Sequence, residues 1–368
     1  SLLTPLILVG SPTFLGVNYF KLTKKLFLEC TSTVLFLIML SFFIISICVV
    51  ICQDIICNYL DIPIFWLYGV LLFSFMQSFK VLYNSLLIIQ KKAKYFVWLQ
   101  VSYSIINVAL SLLFVVGLDK SWQGRLYGIG LADFIILCII LVLLYKGSYL
   151  SNKFKKKYVV DSLQFGIPLL PHAIGMWVIN LSNRFLITKY LGLEQVGLYS
   201  VGFQFAFIVS VLAMSITKAW NPFLFEKLKQ NTEEARKDIV LITYKILGFL
   251  ILAVFSVSLL APLIIKYFFG QDYQMASIFI PWISFGYLFQ GGFLMLVGII
   301  LFHKKTKAIG LISSLCAIVN IGLNIIFIKM NGAVGAAQAN LLTFVLLFIV
   351  IAIYTHKIIA LPWFKISI

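Results

Sequence analysis

Eleven stretches of this 368-residue chain run for about twenty residues or more with hardly a charge among them. At about 1.5 Å per residue, such a stretch crosses a hydrocarbon core of roughly 30 Å as a helix, the form in which a segment satisfies its own backbone hydrogen bonds in lipid. In order they are Ser1–Phe20, Leu26–Cys52, Ile62–Ile89, Tyr95–Leu118, Leu126–Tyr145, Leu163–Leu191, Val196–Thr217, Ile239–Phe269, Met275–Phe302, Ala308–Ile328 and Ala333–Thr355. Charged residues are 11% of the chain, where soluble domains carry about 25%, and mean hydropathy is +1.06. The expected fold is an all-α polytopic membrane protein. Ser1–Phe20 has the length of a signal peptide but neither a basic n-region nor a small-residue cleavage pattern. It reads as a spanning helix in a chain without an initiator Met.

The net charge of +17 raises the question of nucleic acid, and the position of the charges answers it. Alternating the loops between two sides places 21 Lys/Arg on one side, in 21–25, 91–94, 146–157, 218–237, 304–307 and 357–365. The other side holds five: Lys120, Arg125, Lys189, Lys266 and Lys329. This is the positive-inside bias, so the rich loops and the C-terminus are expected in the cytoplasm of a bacterial inner membrane protein, against anionic lipid. No nucleic-acid partner is expected.

Six Cys (30, 48, 52, 57, 138, 316) lie mostly in apolar spans without CxxC or Cys/His spacing, and the three His are scattered. They read as packing thiols, and no metal or cofactor is expected. No loop exceeds about twenty residues, which leaves no room for an extramembrane catalytic domain. The chain is not expected to be an enzyme.

The chain also repeats itself. QKKAK around Lys91 followed by Ile106–Phe114 returns, 213 residues later, as HKKTK around Lys304 followed by Val319–Phe327. The offset pairs Asn107 with Asn320 and Gln77 with Gln290. After a loop shorter by six residues, YGIGLAD (127–133) faces VGAAQAN (334–340). Six spans separate the two basic loops, an even number, so the copies share one orientation and form a parallel repeat. The expected layout is two bundles of six, with five helices of the N-terminal bundle in 1–157 and six of the C-terminal bundle in 158–368. The piece wanting is one N-terminal helix.

Polar residues inside the spans fall at helical spacing. Ser74, Gln77, Lys80 and Asn84 share one face, Gln100, Ser104, Asn107 and Ser111 another, His172, Met176, Asn180 and Arg184 a third, with Ser200, Gln204 and Ser215 roughly on a fourth. Such stripes either hold helices together or line a wet cavity, and for a single Ser or Asn the first use is the commoner. Charges discriminate better. Lys80 lies about ten residues from the nearer end of its span, roughly 15 Å deep. Arg184 and Lys245 are shallower and could equally be snorkelling anchors. Asp133 is the one acid well inside a span; it could pair with a cation or carry a coupling proton. A cavity with more fixed cations than anions suits an anionic ligand such as a pyrophosphate.

The segment from Phe165 to Ala206 resembles the seventh helix and following link of bacterial polysaccharide repeat-unit flippases. These are the Wzx-type O-antigen translocases of the multidrug/oligosaccharidyl-lipid/polysaccharide (MOP, MATE-like) superfamily. The matching residues are Gly166 and Pro168, Arg184, Leu191 and Gly192, then Val196, Gly197, Tyr199 and Ser200; Asn183 stands where many members have Asp. The resemblance implies transfer of undecaprenyl-diphosphate-linked oligosaccharide to the outer leaflet by alternating access, for surface polysaccharides such as O-antigen of lipopolysaccharide. It implies a polymerase and a chain-length regulator as partners. The expected cavity residues are Lys80, Gln77, Asn84, Asn107, His172, Asn180, Arg184, Gln204 and Gln290, with Asp133 as the ion-coupling candidate. The rivals are a multidrug exporter of the same superfamily, which would need buried acids for cationic drugs, and a non-transporting protein of polysaccharide assembly, which would not need Lys80 at depth.

Overall fold

The computed structural model describes residues 3–60, 62–147, 149 and 154–363. Lys153 of the basic run, Asp61 and Lys365 lie outside the described residues. The helices in chain order are α1 (Leu3–Leu8), α2 (Ser11–Tyr19), α3 (Lys24–Ile51), α4 (Gln53–Leu60), α5 (Ile64–Ile89), α6 (Ala93–Leu112), α7 (Ser121–Lys146), α8 (Lys156–Gly166), α9 (Leu170–Leu191), α10 (Leu193–Gln230), α11 (Glu233–Phe268), α12 (Ile280–Phe302) and α13 (Thr306–Ile358). Among the described residues, nine helical segments are long and apolar enough to cross a membrane, and the chain is a multi-pass membrane protein.

Nine and eleven differ at two places. The span expected at Ser1–Phe20 breaks into α1 and α2 at Val9 and Gly10, both left-handed (φ 44° and 68°), so neither piece is long enough to count. The last two spans join into α13, which keeps a non-helical break at Asn331 and Gly332 (φ −125° and 60°). The link expected over Leu191–Tyr199 shrinks to Gly192 alone, at φ 88°, because one residue at positive φ suffices to re-aim a helix.

The chain divides into two compact units, residues 1–170 and 171–368. The border lies thirteen residues beyond the one expected at Lys157, so α8, first in sequence of the C-terminal half, packs with the N-terminal unit on α2 and α3. There Phe165 meets Phe14 with ring centroids 5.7 Å apart. Gly166 lies so close to the Val9 carbonyl that a Cβ would overlap it, and a Cβ on Gly10 would sit 2.9 Å from the Gly166 Cα. Just before α8, Lys155 bonds Glu29 of α3 at 2.5 Å. That hydrogen bond holds the Lys155 ammonium above its usual pKa range.

The second unit is built around α12, whose Ile283, Tyr287, Phe293, Ile299 and Ile300 are fully inside. The helix carries no charge, and its glycines admit neighbours at close range. Gly291 lies under Leu250 of α11 and Ala213 of α10, Gly292 under Phe348 of α13, and Gly298 under Leu224 of α10.

The repeat shows in the backbone of the two basic turns. Lys91 and Lys304 both have φ 57°. The Lys92 amide donates to Leu87 O at 2.9 Å, and the Lys305 amide to Ile300 O at 3.1 Å. The Lys91 amide donates to Ile88 O and the Lys304 amide to Leu301 O, both at 3.0 Å. Each turn is a Schellman stop with Lys in the left-handed position that Gly usually takes, and every partner is displaced by 213. The register of the following helix differs from the expected one. A Cβ on Gly124 would meet the Phe114 carbonyl at 2.8 Å, and a Cβ on Gly335 would overlap the carbonyl of Phe327. Since Phe114 and Phe327 are equivalent, Gly335 stands where Gly124 does. The intervening loop is shorter by two residues rather than six, and Asp133 aligns with Phe344 rather than Asn340.

Candidate functional site

In the first unit, three helices bring polar side chains together. Lys80 of α5 places its Nζ 2.5 Å from Asp133 Oδ1 of α7 and 3.6 Å from the ring centroid of Tyr103 on α6. The Lys80 side chain keeps 13% of its surface exposed, and that of Asp133 1%. An acid at this depth needs a counter-ion, because an unpaired buried charge costs several kcal/mol. The ring face adds about 2 kcal/mol of cation–π attraction when water is excluded. Asp133 Oδ2 has no hydrogen-bond partner and is buried.

The lane continues outward. Asn107 Nδ2 donates to Tyr103 Oη at 3.1 Å, and Arg125 of α7 donates to Asn107 Oδ1 at 2.9 Å and Ser111 Oγ at 2.6 Å. Tyr103 and Arg125 were absent from the expected set. The signal for Tyr103 is its position four residues before Asn107; Arg125 counts as a loop charge until the fold places it on α7, against Asn107 and Ser111 of α6. On α5, Gln77 and Asn84 flank Lys80 one turn to either side, both half-buried, with Asn84 Oδ1 buried and unbonded.

In the second unit, Arg184 of α9 lies over the Phe203 ring of α10 at 4.7 Å. Its Nε is buried without a hydrogen-bond partner. Among the described residues it forms no ion pair. Its neighbour Asn183 is fully buried and donates to Tyr199 Oη at 3.0 Å.

The remaining expected cavity residues divide by partner. Gln290 Oε1 accepts from Ser210 at 2.9 Å, tying α12 to α10. His172 Nδ1 lies 2.7 Å from Ser313 Oγ, tying α9 to α13. Asn320, the repeat counterpart of Asn107 and not itself an expected cavity residue, accepts from Ser182 of α9 at 2.8 Å and donates to Thr343 of its own α13 at 2.9 Å. The bonds of Gln290 with Ser210, His172 with Ser313 and Asn320 with Ser182 join separate helices and are of the kind that hold spans together. Asn180 donates to the Met176 carbonyl of its own helix at 2.7 Å. Gln204 is exposed on α10, as is Lys245, which was not among the expected cavity residues, on α11. No group of three or more His, Cys, Asp or Glu able to hold a metal occurs among the described residues.

A relative from Haemophilus influenzae, described as an uncharacterized membrane protein, is 28% identical over 267 residues, which cover 67% of this chain and 63% of that one. The chain thus spans less than two thirds of its relative's length. Among solved structures, the Vibrio cholerae MATE transporter VcmN in its bent form superposes with a TM-score of 0.77, 13% identity, and coverage of 97% of this chain and 85% of that one. A MOP superfamily transporter from Pyrococcus furiosus, reported with a binding pocket of reverse polarity, gives 0.76 and 14%, with coverage of 97% and 85%. The fold is thus the one seen in those membrane transporters. Residues 168–326 match the MatE family, and residues 21–228, more than half of the chain, match the family described as polysaccharide biosynthesis protein. Its fold is that of the MATE transporters it superposes on, and the chain belongs to that polysaccharide biosynthesis family.

Proposed function

We propose that this protein carries undecaprenyl-diphosphate-linked oligosaccharide repeat units across the bacterial plasma membrane, from the cytoplasmic to the outer leaflet, by alternating access and without a cofactor. The observation that carries the reading is Arg184, a guanidinium in a spanning helix whose Nε is buried and unbonded and which has no ion-pair partner among the described residues. A buried donor of a charged group left without a partner is costly, and a diphosphate is a partner that would satisfy it by bidentate hydrogen bonds. Membership in the polysaccharide biosynthesis family supports a glycan cargo. A carrier of cationic drugs would need a free acid at depth, and Asp133 is already held by Lys80.

Export is tested in a strain lacking its own repeat-unit flippase. Expression of the chain with its natural flanking sequence should restore surface polysaccharide. A protein that inserts, restores none, and instead confers resistance to cationic dyes is a drug exporter.

Direction rests on the charge split of 21 to five. Single cysteines next to Lys157 or Lys237 should resist a membrane-impermeant thiol reagent applied from outside, and ones next to Asp61 or Lys266 should react. The opposite labelling would reverse the orientation and the direction of transport with it.

A further inference from the structure

We infer that Asp133 is a resident competitor of the transported anion: it occupies Lys80 when no ligand is bound and yields it to the ligand's diphosphate. The inference rests on the transport reading above. Lys80 has two sides. Behind it stands Asp133 at 2.5 Å with 1% of its side chain exposed, and beside it is the Tyr103 ring at 3.6 Å. Of the pair, Lys80 keeps 13% of its side chain exposed against 1% for Asp133. An anion therefore meets the pair through Lys80 rather than through the carboxylate, and it must draw the ammonium off an existing partner to be held.

The neighbours of Lys80 are fitted to receive such a group. Gln77 and Asn84 lie one helical turn to either side of Lys80 on α5, and both amides offer N–H donors to phosphate oxygens. Other charged and titratable groups near the pair are few. From α6 comes Tyr103, and from α7 itself Arg125, two turns along and bound to Asn107 and Ser111. The π-helical turn between them, Leu113–Gly117, contributes none. The ammonium thus has one resident anion and one open side, an arrangement in which holding and releasing a visiting anion are a choice between two partners. A permanently free Lys would hold a diphosphate and be slow to let it go. Competition from Asp133 lowers the affinity and returns the site to its resting pair on release.

The test uses the purified full-length protein in detergent and geranylgeranyl diphosphate as probe, with flipping of a lipid-linked oligosaccharide in proteoliposomes as the second readout. Asp133→Asn removes the competitor and keeps the shape. It should bind the probe about tenfold more tightly, as expected if Lys80 is free about a tenth of the time in the parent, while flipping becomes slower. A gain in affinity is a result that damage to packing does not produce. The neutral pair Lys80→Met/Asp133→Asn should bind at least tenfold more weakly than the parent, and the reversed pair Lys80→Asp/Asp133→Lys should keep a folded protein whose affinity differs from the parent's. If the parent binds and flips but Asp133→Asn binds no more tightly, the competitor role is wrong and the transport reading stands. If the parent neither binds the probe nor flips the lipid-linked oligosaccharide, both fail together.

Discussion

Lys80→Glu should abolish glycan export, by at least about a hundredfold, and should also lower the amount of folded protein. The sequence alone shows a cation at depth and leaves its partner open. With Asp133 at 2.5 Å, the substitution sets two carboxylates against each other in a buried site, and breaking a buried pair by removing one partner costs about 3–5 kcal/mol. Lys80→Arg keeps the charge and can hold the carboxylate through two N–H groups, so it should retain much of the export. The informative variant is Lys80→Glu/Asp133→Lys. It should recover the thermal stability lost by the single change without recovering wild-type export, because the cation has moved from the open side to the closed one. Wild-type export by Lys80→Glu would remove Lys80 from the mechanism.

Gly166→Val should be the most damaging neutral substitution in the first unit. The Val9 carbonyl occupies the place where a Cβ would go, and the obstacle is the backbone of the bend between α1 and α2, so no side chain can swing away. Over-packing of a filled core costs about 1–3 kcal/mol and occasionally more. Here the expected loss is about 3 kcal/mol or more, read as a fall in the midpoint of thermal unfolding in detergent, with Gly166→Ala smaller but of the same sign. An unchanged midpoint for Gly166→Val would mean that α8 and the Val9–Gly10 bend are not packed as described.

What the sequence conveys here follows the range of the forces that write it. Spanning helices are legible because lipid selects residue by residue over about twenty positions. The basic turn at Lys91 and Lys304 was legible because a run of Lys and a fixed helix stop fall on the same few residues in both copies. The partner of Lys80 is 53 positions away, and only packing of α5 against α7 selects Asp133 from the cations and acids that could pair. Tyr103 was passed over for a different reason: although it stands four residues before Asn107, an aromatic on a membrane helix is ordinary until a cation is found over its face. The misplacement of Gly335 opposite Gly128 had yet another cause. Small residues crowd both copies of that helix start, so several registers look alike, and the carbonyls of Phe114 and Phe327 decide between them.

The packing of α8 decides where the chain can be cut. Its Phe165 lies on Phe14 of α2, and just upstream Lys155 holds Glu29 of α3, so α8 belongs with the first unit. A fragment ending at Lys157 would leave that face of α2 and α3 bare, and one ending near Leu170 would keep it covered. Separate expression of the first unit should therefore succeed with the later border and fail with the earlier one.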